Sequence, residues 1–172
     1  MKKIVKVGNI NCGEDQLFII SGPCVIEEEG LMLQTAEQLK IITERLGVPL
    51  IFKSSFTKDN RSSLDYYQGP GIDKGLKILE KIKTQFDLPL LTDIHYPDQA
   101  RAASEVVDII QIPAYLCMQS ELVVAAAKTD AVINIKHGQF LAPENMDKPI
   151  KKIERSEEHT SELQSPCNLV CR

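Results

Sequence analysis

The chain has 172 residues, of which 43% are apolar, 26% charged and 5% aromatic, with a formal net charge of -4. This length buries one sizeable core and the aliphatic content excludes intrinsic disorder, while the mildly acidic balance argues against nucleic acid as the main partner. No apolar run is long enough for a membrane span, and Met1-Lys2-Lys3-Ile4-Val5-Lys6 lacks the apolar core of an export signal, so a cytoplasmic protein is expected.

The first residues alternate through Ile4, Val5, Val7 and Ile10, which suits a hairpin. Residues 17–24 then predict a buried strand. Residues 28–46 have helix period, with Leu31, Ala36, Leu39, Ile42 and Leu46 on one side and Gly47 as the C-terminal stop. A second strand is expected over 49–54, followed by a polar stretch from Phe56 to Gly71. Residues 73–86 predict a helix whose stripe is Leu76, Leu79, Ile82 and Phe86. Further strands are expected over 89–95, 107–113 and 131–136, and helices over 98–106 and 119–129. From there to about residue 154 the pattern is a loop with a helix start.

Strands alternating with helices, the strands almost continuously apolar, predict an α/β fold with a parallel sheet. Polar residues stand at the carboxyl end of every core strand: Cys24, Lys53 with Ser54 and Ser55, Asp93 with His95, Gln111, and Lys136 with His137. Such a ring is where (β/α)8 barrels place their chemistry, whereas a doubly wound sheet gathers its ligand groups at one switch point. A (β/α)8 TIM barrel is therefore expected, truncated after about five βα units, since a whole barrel takes about 250 residues.

From Arg155 the character changes. Read back into codons, 155–165 and 168–172 match a common sequencing-library adapter on either side of a short index. Residues 1–154 are accordingly expected to form the partial barrel and 155–172 a non-native read-through tail. The five cysteines, Cys12, Cys24, Cys117, Cys167 and Cys171, show no paired spacing and read as reduced thiols.

The densest chemistry lies in Lys53-Ser54-Ser55-Phe56-Thr57-Lys58-Asp59-Asn60-Arg61-Ser62-Ser63. Lysine supplies point charge, arginine a planar fork, and serine and asparagine neutral donors, the mixture that phosphate and carboxylate oxygens require. A solvated polar loop has the same composition, but its position after an apolar strand favours an anion site, to which Lys136 adds a cation. Asp93 and His95 share a sheet face and suit orienting a water or hydroxyl. Cys24 fits either a small buried core residue or a thiolate metal ligand. A Schiff base on Lys53 or Lys136 is a further possibility for barrel lysines, and a non-catalytic phosphate-binding fragment is another.

Seven segments, in order, resemble 3-deoxy-D-manno-octulosonate 8-phosphate synthases: Ser21-Gly-Pro-Cys24, Phe52-Lys-Ser-Ser-Phe56, Lys58-Asp-Asn-Arg-Ser-Ser63, Gly69-Pro-Gly71, Thr92-Asp-Ile-His95, Ile110-Gln-Ile-Pro-Ala114 and Asn134-Ile-Lys-His-Gly-Gln-Phe140. The resemblance implies a cytoplasmic, homotetrameric barrel of lipopolysaccharide biosynthesis. Its reaction would condense phosphoenolpyruvate with D-arabinose 5-phosphate and water. It further implies that Lys53, Lys58 and Lys136 hold phosphoenolpyruvate, and that Asn60, Arg61 and Ser62 bind arabinose 5-phosphate. Asp93, His95 and Gln111 would lie near the reacting carbons. Cys24 would mark the class that uses a divalent metal such as zinc, iron or manganese, with the remaining ligands on later strands. Met118 stands where members commonly carry arginine, and His137 where many carry lysine. The sibling that makes the seven-carbon acid, 3-deoxy-7-phosphoheptulonate synthase, is the alternative.

Overall fold

The computed structural model describes residues 4–63 and 65–156 in full, together with the backbone of 157 and of 169–171. Strands β1 (Val5–Val7) and β2 (Ile10–Cys12) form an antiparallel hairpin with Val5 opposite Cys12. There follow β3 (Ile19–Ser21), α1 (Glu29–Leu46), β4 (Leu50–Lys53), α2 (Ile72–Phe86), β5 (Leu90–Asp93), α3 (Gln99–Ser104) and β6 (Ile109–Ile112). A short 3-10 turn at Ala114–Leu116 leads into α4 (Ser120–Ala127) and β7 (Val132–Lys136). A second such turn at Pro143–Met146 precedes α5 (Asp147–Glu157), and β8 (Leu169–Cys171) is the last strand described.

The strands β3 to β8 form one parallel sheet in chain order. Consecutive parallel neighbours joined through helices are the unit of a (β/α)8 barrel, and this curved sheet makes part of one. The expected strands and helices are all present, each strand shorter than its apolar run because ladder pairing ends before the run does.

Period-two alternation builds the inside of the curve in layers. Ile51, Leu91, Ile109 and Val132, near the strand starts, pack against Val5, Val7, Ile10 and Cys12 of the hairpin. The hairpin's alternation turns those four residues to one side, and it seals the end of the barrel where the strands begin. Two residues further along their strands, the same inward face carries Lys53, Asp93, Gln111 and Asn134. One sheet face is thus apolar at one end and polar at the other. On the opposite face Phe52, Leu90, Ile110, Ile112, Ile133 and Ile135 meet the helices in the larger core.

The helices follow their sequence signals with one correction. Helix α2 buries all four residues of its stripe, together with Gly75 and Ile78. Helix α4 buries Leu122, Val123, Ala126 and Ala127. Helix α1 ends at Gly47 in the left-handed region, φ 65°, as expected of a C-cap glycine. Its buried face, however, is Met32, Ala36 and Thr43, whereas Leu31, Ile42 and Leu46 are exposed. The apolar arc of α1 is wider than the strip covered by the sheet and α2, and its flank is left over.

Helix α5 is longer than the expected helix start and continues past Glu154 to Glu157. Of the proposed tail, 158–168 and 172 lie outside the described residues, as do the side chains of 169–171, whose backbone pairs with β7. No helix among the described residues is long and apolar enough to cross a membrane.

Candidate active site

The polar end of the barrel is assembled by close backbone approaches. A Cβ at Gly22 would lie 2.1 Å from the Lys53 carbonyl oxygen, so only glycine lets β3 exit this close to β4. The Ser54 hydroxyl donates to the Pro23 carbonyl at 2.8 Å, and Val25 pairs with Ser55 in an isolated bridge. These contacts set Gly22-Pro23-Cys24 against the end of β4. Cys24 is exposed, which removes the buried-core reading of this thiol.

The polar loop after β4 is drawn in at its neck. Phe56 is fully buried, and a Cβ at Gly69 would meet its carbonyl oxygen at 2.3 Å. Gly71 N–H donates to Phe56 O at 3.1 Å, and Lys58 N–H donates to Gln68 O at 2.7 Å. The pinned neck returns Lys58 and Asn60 to the barrel mouth.

Asp93 is the hub of the site and is 3% exposed. It accepts a hydrogen bond from the Ser55 hydroxyl. Its oxygens lie 3.4 Å from Lys53 Nζ, 3.7 Å from Lys58 Nζ and 3.5 Å from His95 Nε2. Lys53 Nζ also donates to Ser55 Oγ at 2.8 Å. Burial alone would push the Asp93 carboxyl upward, but Lys53, Lys58, Ser55 and His95 together outweigh it and hold its pKa below the ordinary value. Burial pulls the Lys53 ammonium down from its usual value; the nearby Lys58 adds to this and Asp93 opposes it. Two ammonium groups therefore share one carboxylate in a low-dielectric pocket, which leaves a surplus of positive charge directed at the cavity.

A cavity of about 510 Å³ opens above this hub, lined by Lys58, Asn60, Asp93, His95, Gln111 and Lys136 among others. The volume falls in the range of small-ligand sites. Strand register explains the grouping: Asp93 lies opposite Gln111, and Gln111 opposite Asn134. Buried Asn134 Nδ2 donates to Gln111 Oε1 at 3.1 Å and fixes the glutamine amide.

Six of the ten candidate residues thus line one cavity, and Lys53 joins them through Asp93 and Ser55. The other three stand apart. Arg61 lines a separate depression of about 490 Å³ with Glu27, Glu28, Tyr66 and Tyr67. Ser62, its neighbour in the chain, is exposed. Cys24 is exposed at the rim, and no group of three His, Cys, Asp or Glu side chains among the described residues could hold a metal ion. A zinc-type centre needs at least three protein ligands, so these residues do not make one by themselves.

Ser55 stands out in the sequence only as one polar residue of the strand-end ring and Asn134 only as the first residue of a resemblance segment; the hydrogen bonds to Asp93 and Gln111 give each its part in the site. Tyr115, in the 3-10 turn after β6, and Gln139, in the turn after β7, also line the cavity from connections whose course the strand pattern does not reveal.

The chain is similar to known proteins over most of its length. Curated relatives named 2-dehydro-3-deoxyphosphooctonate aldolase are 49% identical over 157 residues in Trichlorobacter lovleyi, 51% over 153 in Geotalea daltonii and 50% over 155 in Rickettsia prowazekii. These matches take in 91%, 88% and 90% of this chain, and 58%, 56% and 56% of the respective relatives. The chain spans little more than half the length of the curated relatives it matches. The family model described as DAHP synthetase I family matches residues 2–172. By that match, which covers nearly every residue, the chain belongs to the DAHP synthetase I family.

Proposed function

We propose that the chain carries the anion-binding half of a synthase that condenses phosphoenolpyruvate with D-arabinose 5-phosphate and water, releasing phosphate and 3-deoxy-D-manno-octulosonate 8-phosphate. The observation that carries this reading is the convergence of Lys58 and Lys136 from separate segments on one cavity floored by Asp93, whose carboxylate also pairs with Lys53. Relatives at about half identity bear the name of an aldolase acting on the same eight-carbon acid.

In this proposal Lys53, Lys58 and Lys136 hold the phosphoenolpyruvate carboxylate and phosphate, and their charge offsets the repulsion between two anionic substrates. Asn60, Arg61 and Ser62 receive arabinose 5-phosphate, the latter two at its phosphate. Gln111, fixed by Asn134, presents an amide beside the reacting carbons, and Asp93 with His95 orients a hydroxyl or water. Cys24 supplies one thiolate of a divalent metal site in the metal-dependent class, with its other ligands outside the described residues. The cytoplasmic location and the homotetramer belong to the same proposal. So does the division at residue 154, which rests on the codon reading of 155–172, whereas the family model runs on to residue 172; the gene sequence downstream of codon 154 tests it.

A second reading, condensation to the seven-carbon acid, is favoured by the name of the family model. Phosphate release from phosphoenolpyruvate separates the two. The assay compares the chain alone with the chain joined to the part of the Trichlorobacter lovleyi relative that it does not match. Release that depends on arabinose 5-phosphate, in the joined protein only, is the expected result. Preference for erythrose 4-phosphate supports the second reading, and release by the chain alone contradicts the division of the site.

A further inference from the structure

Beyond Asp93 the backbone of β5 leaves the sheet, and its amides need new partners. Ile94 N–H still donates to a neighbouring strand, at 3.1 Å to Gln111 O. The next two amides, of His95 and Tyr96, both donate to one atom, Oε1 of Gln99, at 2.8 Å and 3.2 Å. A carbonyl oxygen has two lone pairs, so both are used. His95 and Tyr96 are walls of the cavity above Asp93, whereas partly buried Gln99 stands behind them at the start of α3.

Part of this is ordinary helix chemistry. Gln99 N–H donates to Tyr96 O at 3.2 Å, and Pro97 follows Tyr96. That is the pattern of a capping box, in which a glutamine reaches three residues back to the amide where the helix begins. A capping box explains the bond to Tyr96 but not the shorter one, to His95. His95 lies one residue further back, and its amide does nothing for the helix.

The surroundings of the His95 ring give that second bond its purpose. The side chain is 8% exposed. Nδ1 is buried and finds no hydrogen-bond partner among the described residues, and Nε2 stands 3.5 Å from Asp93 Oδ2, beyond the usual N–H···O range. Neither ring nitrogen therefore anchors the imidazole. The two amides held by Gln99 belong to the two peptide planes that flank the His95 Cα. Since a peptide plane is rigid, one oxygen fixes both backbone torsions from which the ring projects.

We infer that Gln99 is a positioning residue of the candidate site: its side-chain oxygen sets the His95 backbone and so aims the imidazole at Asp93 and the cavity. The inference rests on the proposed function only in giving that ring a part in the chemistry.

Nuclear magnetic resonance on the whole chain, without ligand, tests this separately from any binding of phosphoenolpyruvate. In the unaltered chain the His95 and Tyr96 amides should exchange with solvent at least tenfold slower than in the urea-unfolded chain. Exchange at the unfolded rate overturns the inference before any variant is made. Gln99→Leu removes the acceptor at nearly the same volume. Both amides should then exchange at least tenfold faster, with circular dichroism unchanged. The His95 ring signals, identified by their absence in His95→Gln, should move by more than a linewidth while those of His137 keep their place. Gln99→Glu keeps an acceptor oxygen and should retain the slow exchange and the native ring signals. A helix cap and nothing more would give faster amides with the His95 ring unmoved, held by packing. That result overturns the inference, as does a Gln99→Glu chain that behaves like Gln99→Leu.

Discussion

Lys53 and Asp93 face each other at 3.4 Å from neighbouring strands, and the Ser55 hydroxyl bridges them by accepting from the lysine and donating to the carboxylate. This buried pair would cost stability if either member stood alone, because a desolvated charge without its partner is expensive. It is at once a support of the fold and the floor of the proposed site.

Replacing Asp93 with asparagine should therefore be severe. It leaves Lys53 and Lys58, whose side chains are 17% and 14% exposed, without their carboxylate. A loss of about 3 kcal/mol is expected, the scale for breaking a buried pair. Urea denaturation measures it, and a change under about 1 kcal/mol would show that water already compensates these charges.

Stability should also respond to pH at both ends of the scale. The Asp93 carboxyl is held below its ordinary value, so its contribution is present above the unfolded pKa. It is lost as pH falls below 3.8 through the lower folded pKa, where the unfolded chain binds more protons. The Lys53 ammonium is also lowered, so between its folded pKa and 10.5 the unfolded chain again holds more protons and stability rises with pH. Asp93→Asn should flatten the acid limb in urea midpoints measured against pH; an unchanged acid limb would assign the dependence to other groups.

Gly75→Ala sets two effects against each other. In a helix interior the change normally gains up to about 1 kcal/mol. Here the new Cβ would lie 2.3 Å from the buried Phe56 Cβ. Overpacking of about 1–3 kcal/mol should win, giving a net loss and a loosened loop neck. A higher melting temperature for this variant would mean that Phe56 gives way freely.

Cys24 should alkylate fast, whereas buried Cys12 and Cys117 should react only as the chain opens. With no three-ligand group among the described residues, a chelator should leave the melting temperature of this chain unchanged. A drop on chelation would reveal ligands beyond those described.

Much of the fold was legible because its signals are local. Alternation marked the hairpin, Gly47 marked the end of α1, and apolar runs ending in polar residues marked the barrel mouth. The exposed flank of α1 was not legible, because helical period reports which residues are apolar and not which neighbour covers them. The cavity was partly legible for a similar reason. Lys58 and Lys136 stand out by charge, but Ser55 and Asn134 act through hydrogen bonds to Asp93 and Gln111 that only strand register reveals. Arg61 lies within a cationic run in the chain, yet the loop turns it into a depression beside Glu27 and Glu28.

The central claim is that cations from separate segments, Lys58 and Lys136, form one anion site above Asp93, and calorimetric titration with phosphoenolpyruvate tests it most directly. The chain should bind, and Lys58→Ala and Lys136→Ala should each weaken binding at least tenfold while the fold, followed by circular dichroism, stays intact. Binding that is absent, or indifferent to both substitutions, would contradict it.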